Sequence, residues 1–181
     1  MHAFRAKGFE VHHGVWLISG RPRVILLNPI SVFSRLGEIK YLLWEHHNIS
    51  LLHTQDGLLD STLAFGYLVE HFLRTLVECQ TTPRPILAHF HEWMAAAAIP
   101  ELRRTPAPIA IVFTTHATLL GRYLAMQDPW FYDHVPFVNW EADAQRFMID
   151  AQVRIERAAA HGAHLFTTLS EITAFECENL L

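Results

Sequence analysis

A nearly continuous apolar run, Ile109-Ala110-Ile111-Val112-Phe113, most constrains how this chain folds. The run is rich in β-branched residues, and the segment Pro106-Ala107-Pro108 comes immediately before it. Such a run is typical of a parallel strand that is buried on both faces. It therefore predicts an α/β fold built on a parallel sheet with flanking helices.

Other parts of the chain supply the remaining strands and the helices of such a fold. Short apolar runs bounded by turn residues predict further strands at residues 15–18, 23–27, 86–90 and 164–167. Helical spacing predicts helices at residues 57–77, 93–104 with a kink near Pro100, 118–124, 141–161 and 170–181. Thr118 and Ser170 are predicted N-caps, Gly162 is a predicted C-cap, and residues 128–139 are predicted to be an ordered loop.

Composition excludes several classes of protein. The 181 residues are 51% hydrophobic and 18% charged, which indicates one packed domain, and the net charge of −4 gives no reason to expect a nucleic-acid partner. Cys79 and Cys177 lie far apart, so we expect no disulfide framework and a reducing, cytoplasmic location. We also expect no signal peptide and no membrane partner, since no apolar run approaches the ~20 residues that span a bilayer.

Ligands of parallel sheets bind beyond the carboxyl ends of the strands, so the segments that follow the strands are the candidate site. His89 and His91 alternate along one predicted strand and point to one face, and Glu92 follows them. These three side chains are a possible metal-ligand set. We favour packing and cleft lining instead, because the sequence contains no further ligand cluster of standard spacing.

His116 and Arg122 flank the start of the predicted helix at residues 118–124. A helix N-terminus attracts anions through its free N–H groups, and an arginine beside it suits phosphate. A neutral histidine suits a sugar hydroxyl. The alternative, in which His116 only satisfies loop backbone and Arg122 only pairs with a carboxylate, stays open.

Two further observations concern charge and glycine. Arg154, Glu156 and Arg157 lie on one predicted helix, where a solvated charged face is the favoured interpretation.

The chain has no glycine-rich phosphate loop and no Gly-x-Ser-x-Gly motif, so the common nucleotide-binding and hydrolase sites have no support.

Three long motifs resemble the glycogen synthase family of the animal and fungal type. They are His-Phe-His-Glu-Trp at residues 89–93, Phe-Thr-Thr-His-Ala-Thr-Leu-Leu-Gly-Arg-Tyr-Leu at residues 113–124, and residues 156–173. Weaker similarity at residues 14–18 and 65–68 extends the resemblance over nearly the whole chain. The resemblance implies a Rossmann-like parallel sheet with flanking helices, part of the N-terminal lobe of a two-domain GT-B fold.

The resemblance also implies an activity. Family members are retaining glycosyltransferases that move glucose from UDP-glucose to the non-reducing end of an α-1,4-glucan such as glycogen. They need no cofactor or metal for the chemistry, and we expect a homo-oligomer at full length. ADP-glucose as donor, another acceptor such as a small sugar, and a degenerate non-catalytic glucan-binding remnant remain the alternatives.

The resemblance assigns roles to eight residues of this chain. His116 matches the family histidine that approaches the donor glucose, and Glu92 joins it as the second catalytic candidate. The implied substrate-binding residues are His91, Trp93, Arg122, Thr115, Thr168 and Ser170. Among these, Arg122 would serve the donor phosphates, and His91 and Trp93 would line the cleft floor.

The domain expectation is a single, incomplete Rossmann-like domain over residues 1–181. Residues 1–13 are a candidate disordered segment. The family's amino-terminal Lys-Val-Gly-Gly-Ile stretch and its carboxyl-terminal domain are expected to be absent from this chain, which is therefore expected to be inactive alone.

Overall fold

The computed structural model of the protein describes residues 1–51 and 54–181. The strands are β1 (Val11–Val15), β2 (Arg23–Leu27), β3 (Ile86–His91), β4 (Ile109–Thr114) and β5 (Leu165–Thr167). The helices are α1 (His2–Ala6), α2 (Leu36–His47), α3 (Gly57–Glu78), α4 (Glu92–Ala96), α5 (Ile99–Arg104), α6 (Leu119–Ala125), α7 (Phe131–His134), α8 (Trp140–Arg146), α9 (Asp150–Gly162) and α10 (Glu171–Leu180). Short 3-10 segments occupy Pro29–Arg35 and Val135–Phe137.

The central sheet is parallel and has the strand order β3-β4-β5. Phe90 pairs with Phe113, which in turn pairs with Phe166, so the carboxyl ends of the three strands lie side by side. This confirms the predicted α/β class, in which a parallel sheet is flanked by helices. None of the described helices combines the length and apolar character that crossing a bilayer requires.

The sheet is covered mainly on one face in the described chain. Phe90, Ile111 and Phe113 are buried and pack with Ile99 of α5. The intervening residues point the other way, and Leu87 on that face is 70% exposed. The prediction that β4 is buried on both faces is therefore wrong for this chain, since Ala110 is also exposed.

Strands β1 and β2 form a separate antiparallel hairpin, so the expectation of one parallel sheet holds for the later strands only. The strand predicted at residues 15–18 ends instead at Val15. Its other residues enter the hairpin turn, where Gly20 has φ +80° and the backbone N–H of Trp16 donates to the carbonyl of Pro22 at 2.9 Å. The turn therefore takes up residues that were expected to extend the strand.

Residues 1–13, the candidate disordered segment, form α1 and the start of β1. Phe4 is fully buried, with its ring centroid 4.7 Å from that of Phe9 and 5.4 Å from that of Phe72. Order at this end of the chain thus comes from packing against the distant helix α3, which local sequence patterns do not reveal.

The helix predicted at residues 93–104 is broken as expected, into α4 and α5. The helix predicted at residues 141–161 is also two helices, α8 and α9, because Met148 adopts φ +58° between them. Similarly, the loop predicted at residues 128–139 contains the short helix α7 and a 3-10 turn. The helical patterns therefore located these segments, but of the two helix breaks only the one near Pro100 was predicted.

Gly162 is not the predicted C-cap: it is the last residue of α9, and the cap is Ala163 in an extended conformation. A Cβ at Gly162 would lie 3.1 Å from Cγ2 of Ile99. The glycine is therefore explained by the close approach of α5 rather than by a left-handed turn.

Candidate functional site

A chain of hydrogen bonds crosses the sheet at the carboxyl ends of its strands. Nε2 of His89 lies 2.7 Å from Oγ1 of Thr114, which lies 2.6 Å from Oγ1 of Thr167. The ring of His91 lies beside that of His89, with a centroid separation of 4.2 Å, so the two histidines do share one face. Both histidines are exposed, and the hydrogen bond to Thr114 holds His89 against the sheet.

Glu92 connects the histidine motif to the segment that follows β4. Its Oε1 accepts the backbone N–H of His116 at 3.0 Å, and its Oε2 accepts from the Arg122 guanidinium at 2.9 Å. Glu92 itself has φ +64°, a conformation that costs a non-glycine residue energy and that often marks functional sites. The structure thus brings Glu92, His116 and Arg122 together, as the site prediction requires.

His91 completes this group, since its ring centroid lies 6.1 Å from that of His116 in an edge-to-face arrangement. The side chains of His116 and Arg122 are about half exposed, at 48% and 49%. A cavity of about 350 Å³ lies next to His91 and Glu92, and α3 supplies its opposite wall. The arrangement offers an accessible cation and imidazole donors around a fixed carboxylate, which suits hydroxyl and phosphate groups.

The start of α6 does not offer a free anion site. Thr118 caps this helix as predicted, accepting from the N–H of Gly121 at 2.9 Å. The N–H groups of Thr118 and Leu119, however, already donate to the carboxylates of Glu176 and Glu156, at 2.7 and 2.8 Å. The protein itself therefore supplies the anions that this helix N-terminus attracts, and any external anion there depends on the Arg122 side chain.

Glu156 corrects the prediction of a solvated charged face on α9. Its side chain is fully buried, and Oε1 has no hydrogen-bond partner among the described residues. Burial, which the nearby carboxylates of Glu92 and Glu176 reinforce, raises the pKa of Glu156 to about 7. Sequence reasoning missed this residue, although Val153 and Ala159, three positions away on either side, mark its face as apolar.

The two arginines of α9 are half-buried rather than solvated. The guanidinium groups of Arg154 and Arg157 lie 5.2 and 4.0 Å from the ring centroid of Trp140. Arg154 also forms an ion pair with Glu141 at 3.0 Å. These contacts join α9 to α8 and place both arginines outside the group around Glu92.

Four other predicted site residues occupy different surroundings. Trp93 is 7% exposed and packs in the core with residues of α2 and α3. Thr115 is fully buried, and its hydroxyl donates to the carbonyl of Ala117. Thr168 lines a separate cavity between β5 and α10, and Ser170 caps α10 by accepting from the N–H of Thr173 at 3.3 Å. The buried positions of Trp93 and Thr115 suit support of the site better than contact with a ligand.

The metal interpretation of His89, His91 and Glu92 has no geometric support within the described residues. Their ligand atoms do not form a mutually close group of three, and Nε2 of His89 is engaged by Thr114.

Comparison with known proteins identifies the family of the chain. The family model described as glycogen synthase matches residues 1–181. The chain is 39% identical over 183 residues to glycogen [starch] synthase of Neurospora crassa, and 41% identical over 182 residues to isoform 2 of Saccharomyces cerevisiae. It is also 38% identical over 179 residues to the liver enzyme of Rattus norvegicus.

These alignments cover 99–100% of this chain but only 25–26% of each relative. The chain thus spans about a quarter of the length of the curated relatives it matches. The family match covers the segments that bear His91, Glu92, His116 and Arg122. The chain belongs to the glycogen synthase family.

Proposed function

We propose that this chain forms part of a retaining glucosyltransferase that transfers glucose from UDP-glucose to the non-reducing end of an α-1,4-glucan. The observation that carries the proposal is the position of Glu92, which holds His116 and Arg122 together where the parallel strands end. Relatives named glycogen [starch] synthase from fungi, a nematode and a mammal support it.

The proposed roles follow from the charge that glycosyl transfer develops. The reaction passes through an oxocarbenium-like state while a diphosphate departs. Arg122 supplies a fixed cation for that diphosphate, and preorganised charge of this kind lowers the barrier in a closed cleft. His116 orients the donor glucose, because a departing diphosphate needs little general-acid assistance.

Glu92 is proposed as the group that fixes both partners. One carboxylate oxygen holds the backbone of His116 and the other holds the guanidinium of Arg122, so a shift of Glu92 displaces both. His91 lines the cavity beside it and is proposed to meet the sugars. The segment with Thr168 and Ser170 is proposed to border the cleft.

The proposed setting is one lobe of a GT-B enzyme in the cytoplasm. The exposed, unpaired thiol of Cys79 fits a reducing compartment. Because the chain spans a quarter of its relatives, we propose that transfer also needs the parts of those enzymes that this chain does not cover. We further propose a homo-oligomer at full length, with no resident cofactor.

The test replaces the two cleft residues in the complete enzyme that carries this chain. Turnover with UDP-glucose and glycogen should fall about 100-fold in His116→Ala and in Arg122→Ala, the usual effect of removing one preorganised donor. His12→Ala, which changes an exposed histidine of the hairpin, is the matched control and should keep wild-type turnover. Wild-type rates in both cleft variants would refute the assigned roles.

Two parallel assays separate the alternatives. ADP-glucose as donor, and glucose in place of glycogen as acceptor, should each support much slower transfer than the proposed pair. The 181-residue chain alone should not elongate glycogen, and measurable elongation by it would contradict the proposal that further parts are needed.

A further inference from the structure

A cluster of two histidines and one glutamate joins α2 to α5, away from the group around Glu92. Nδ1 of His46 and Nε2 of His47 each lie 2.9 Å from the same atom, Oε1 of Glu101. All three side chains are largely shielded, with 17–22% of their surface exposed. The proposed function does not use this cluster, although histidine and glutamate are common metal ligands.

The spacing of the three ligand atoms suits one ion. They all lie within 4.8 Å of one another. A tetrahedral zinc ion ~2.0–2.2 Å from nitrogen and oxygen ligands sets those ligands ~3.4 Å apart. An ion between the three atoms therefore needs each imidazole nitrogen to move from 2.9 Å to about 3.4 Å from Oε1 of Glu101.

The surroundings supply the second layer of contacts that metal ligands usually have. Nε of Arg104 donates to Oε2 of Glu101 at 2.9 Å, which leaves Oε1 facing the histidines. The other ring nitrogen of His46, Nε2, lies 3.6 Å from a carboxylate oxygen of Glu45. In the structure Nδ1 of His46 carries the proton that faces Glu101. A cation at Nδ1 requires that proton on Nε2 instead, a position that the nearby Glu45 carboxylate favours.

The position in the fold also favours a cation. His46 and His47 occupy the last turn of α2, the end at which a helix carries partial negative charge. Glu101 of α5 faces that end of α2 and adds a carboxylate to it.

We propose that His46, His47 and Glu101 form a site for a divalent transition metal of the zinc class that clamps α2 against α5. Two imidazoles and one carboxylate match the ligand preference of Zn²⁺ and Co²⁺ rather than that of Mg²⁺ or Ca²⁺. The partial exposure of the cluster leaves room for water as the fourth ligand. Binding needs only a shift of the ring proton on each histidine, so no oxidant or other reactant is involved.

The test titrates the chain with Co²⁺ and follows the visible absorption of the bound ion, then displaces it with Zn²⁺. We expect one equivalent to bind with a tetrahedral-type spectrum. His46→Gln, His47→Gln and Glu101→Gln should each weaken binding at least tenfold, whereas the matched control His134→Gln, at an exposed histidine between α6 and α8, should bind as the wild type does. Equal binding by all variants, or no stoichiometric binding by the wild type, would overturn the proposal.

A second measurement on the unaltered chain guards against variants that fail to fold. Zinc at a hundredfold excess over its Kd should raise Tm by about 5 °C or more, because it binds only the folded state. X-ray absorption of the zinc-loaded chain should show two imidazole ligands and light oxygen ligands. A sulfur shell, or a signal from other histidines alone, would contradict the site.

Discussion

At the start of α6, two buried carboxylates accept hydrogen bonds from backbone N–H groups that would otherwise bond to water. Glu176 accepts from both the backbone N–H and the hydroxyl of Thr118, and Glu156 accepts from the N–H of Leu119. Each comes from a different helix, so the loop that carries His116 is attached to α9 and α10 as well as to the sheet. Two single residues, Glu156 and Glu176, therefore help to fix the position of the loop that carries His116.

Glu156→Gln should change how stability depends on pH. The folded state raises the pKa of Glu156 from 4.5 to about 7, mainly through burial, so the folded chain holds a proton that the unfolded chain has lost between these values. Stability from this group is fully present below pH 4.5 and is lost as pH rises through 7. In urea unfolding between pH 5 and 8, the free energy of unfolding of Glu156→Gln relative to that of the wild type should rise with pH, by up to about 3 kcal/mol.

The control for this measurement is Glu178→Gln, which changes an exposed glutamate on α10. Its stability difference from the wild type should stay constant over the same pH range. If Glu156→Gln also showed a constant difference, the proton would not reside on this buried carboxyl group.

Gly121→Ala should destabilise the chain, because Gly121 lies directly under the Glu176 carboxylate. An added Cβ would overlap Oε1 of Glu176 and lie 2.7 Å from its Cδ. Moving Glu176 breaks its hydrogen bonds to Thr118, so we expect a loss of about 1–3 kcal/mol despite the better helix propensity of alanine.

Gly37→Ala in α2 is the matched control, since a Cβ there meets nothing within 4 Å. Chemical denaturation should show it equal to the wild type or more stable by up to about 1 kcal/mol. A Gly121→Ala chain as stable as Gly37→Ala would mean that Glu176 moves at no cost.

At the scale of helices and strands, local sequence patterns predicted the features that depend on nearby residues. The parallel strands β3 and β4 follow from short apolar runs bounded by proline and polar residues, and the Thr118 cap follows from its hydroxyl beside a helical pattern. The position of His116 and Arg122 beyond the strand ends could be predicted, because a parallel sheet brings the carboxyl ends of its strands to one edge. These inferences needed no knowledge of distant contacts.

The features that sequence reasoning missed depend on contacts between distant segments. Glu156 and Glu176 reach Leu119 and Thr118 across 37 and 58 residues, and no spacing rule links such positions. The break between α8 and α9 contains no glycine or proline. Ala144 and Ile149, which lie on either side of it, are both buried in the same hydrophobic cluster.

Met148→Gly provides a test of that break. Met148 has φ +58° and is 82% exposed, so glycine relieves backbone strain and loses little packing. We expect Met148→Gly to be more stable than Met148→Ala by about 1 kcal/mol in urea unfolding. A continuous helix would give the opposite order, since glycine costs about 1 kcal/mol relative to alanine inside a helix.

For the whole molecule, the amino-terminal segment contributes a core of its own. Phe4, Phe9 and Val11 pack with Val32 and Phe72, and this cluster joins α1 and the hairpin to the long helix α3. The cluster lies apart from the residues that pack under the parallel sheet. The stability of the chain therefore depends on a segment that carries none of the candidate site residues.

Phe4→Ala should accordingly destabilise the chain as a core substitution does. The ring is fully buried between Phe9 and Phe72, so its removal leaves a cavity and should cost about 3–5 kcal/mol of unfolding free energy. Phe137→Ala removes an equal ring that is 85% exposed and should cost less than about 0.5 kcal/mol. Urea midpoints of the two variants give the comparison directly. Equal midpoints would show that α1 does not pack on α3 in solution. The expectation from the sequence, that residues 1–13 are disordered, would then be the better description of this segment.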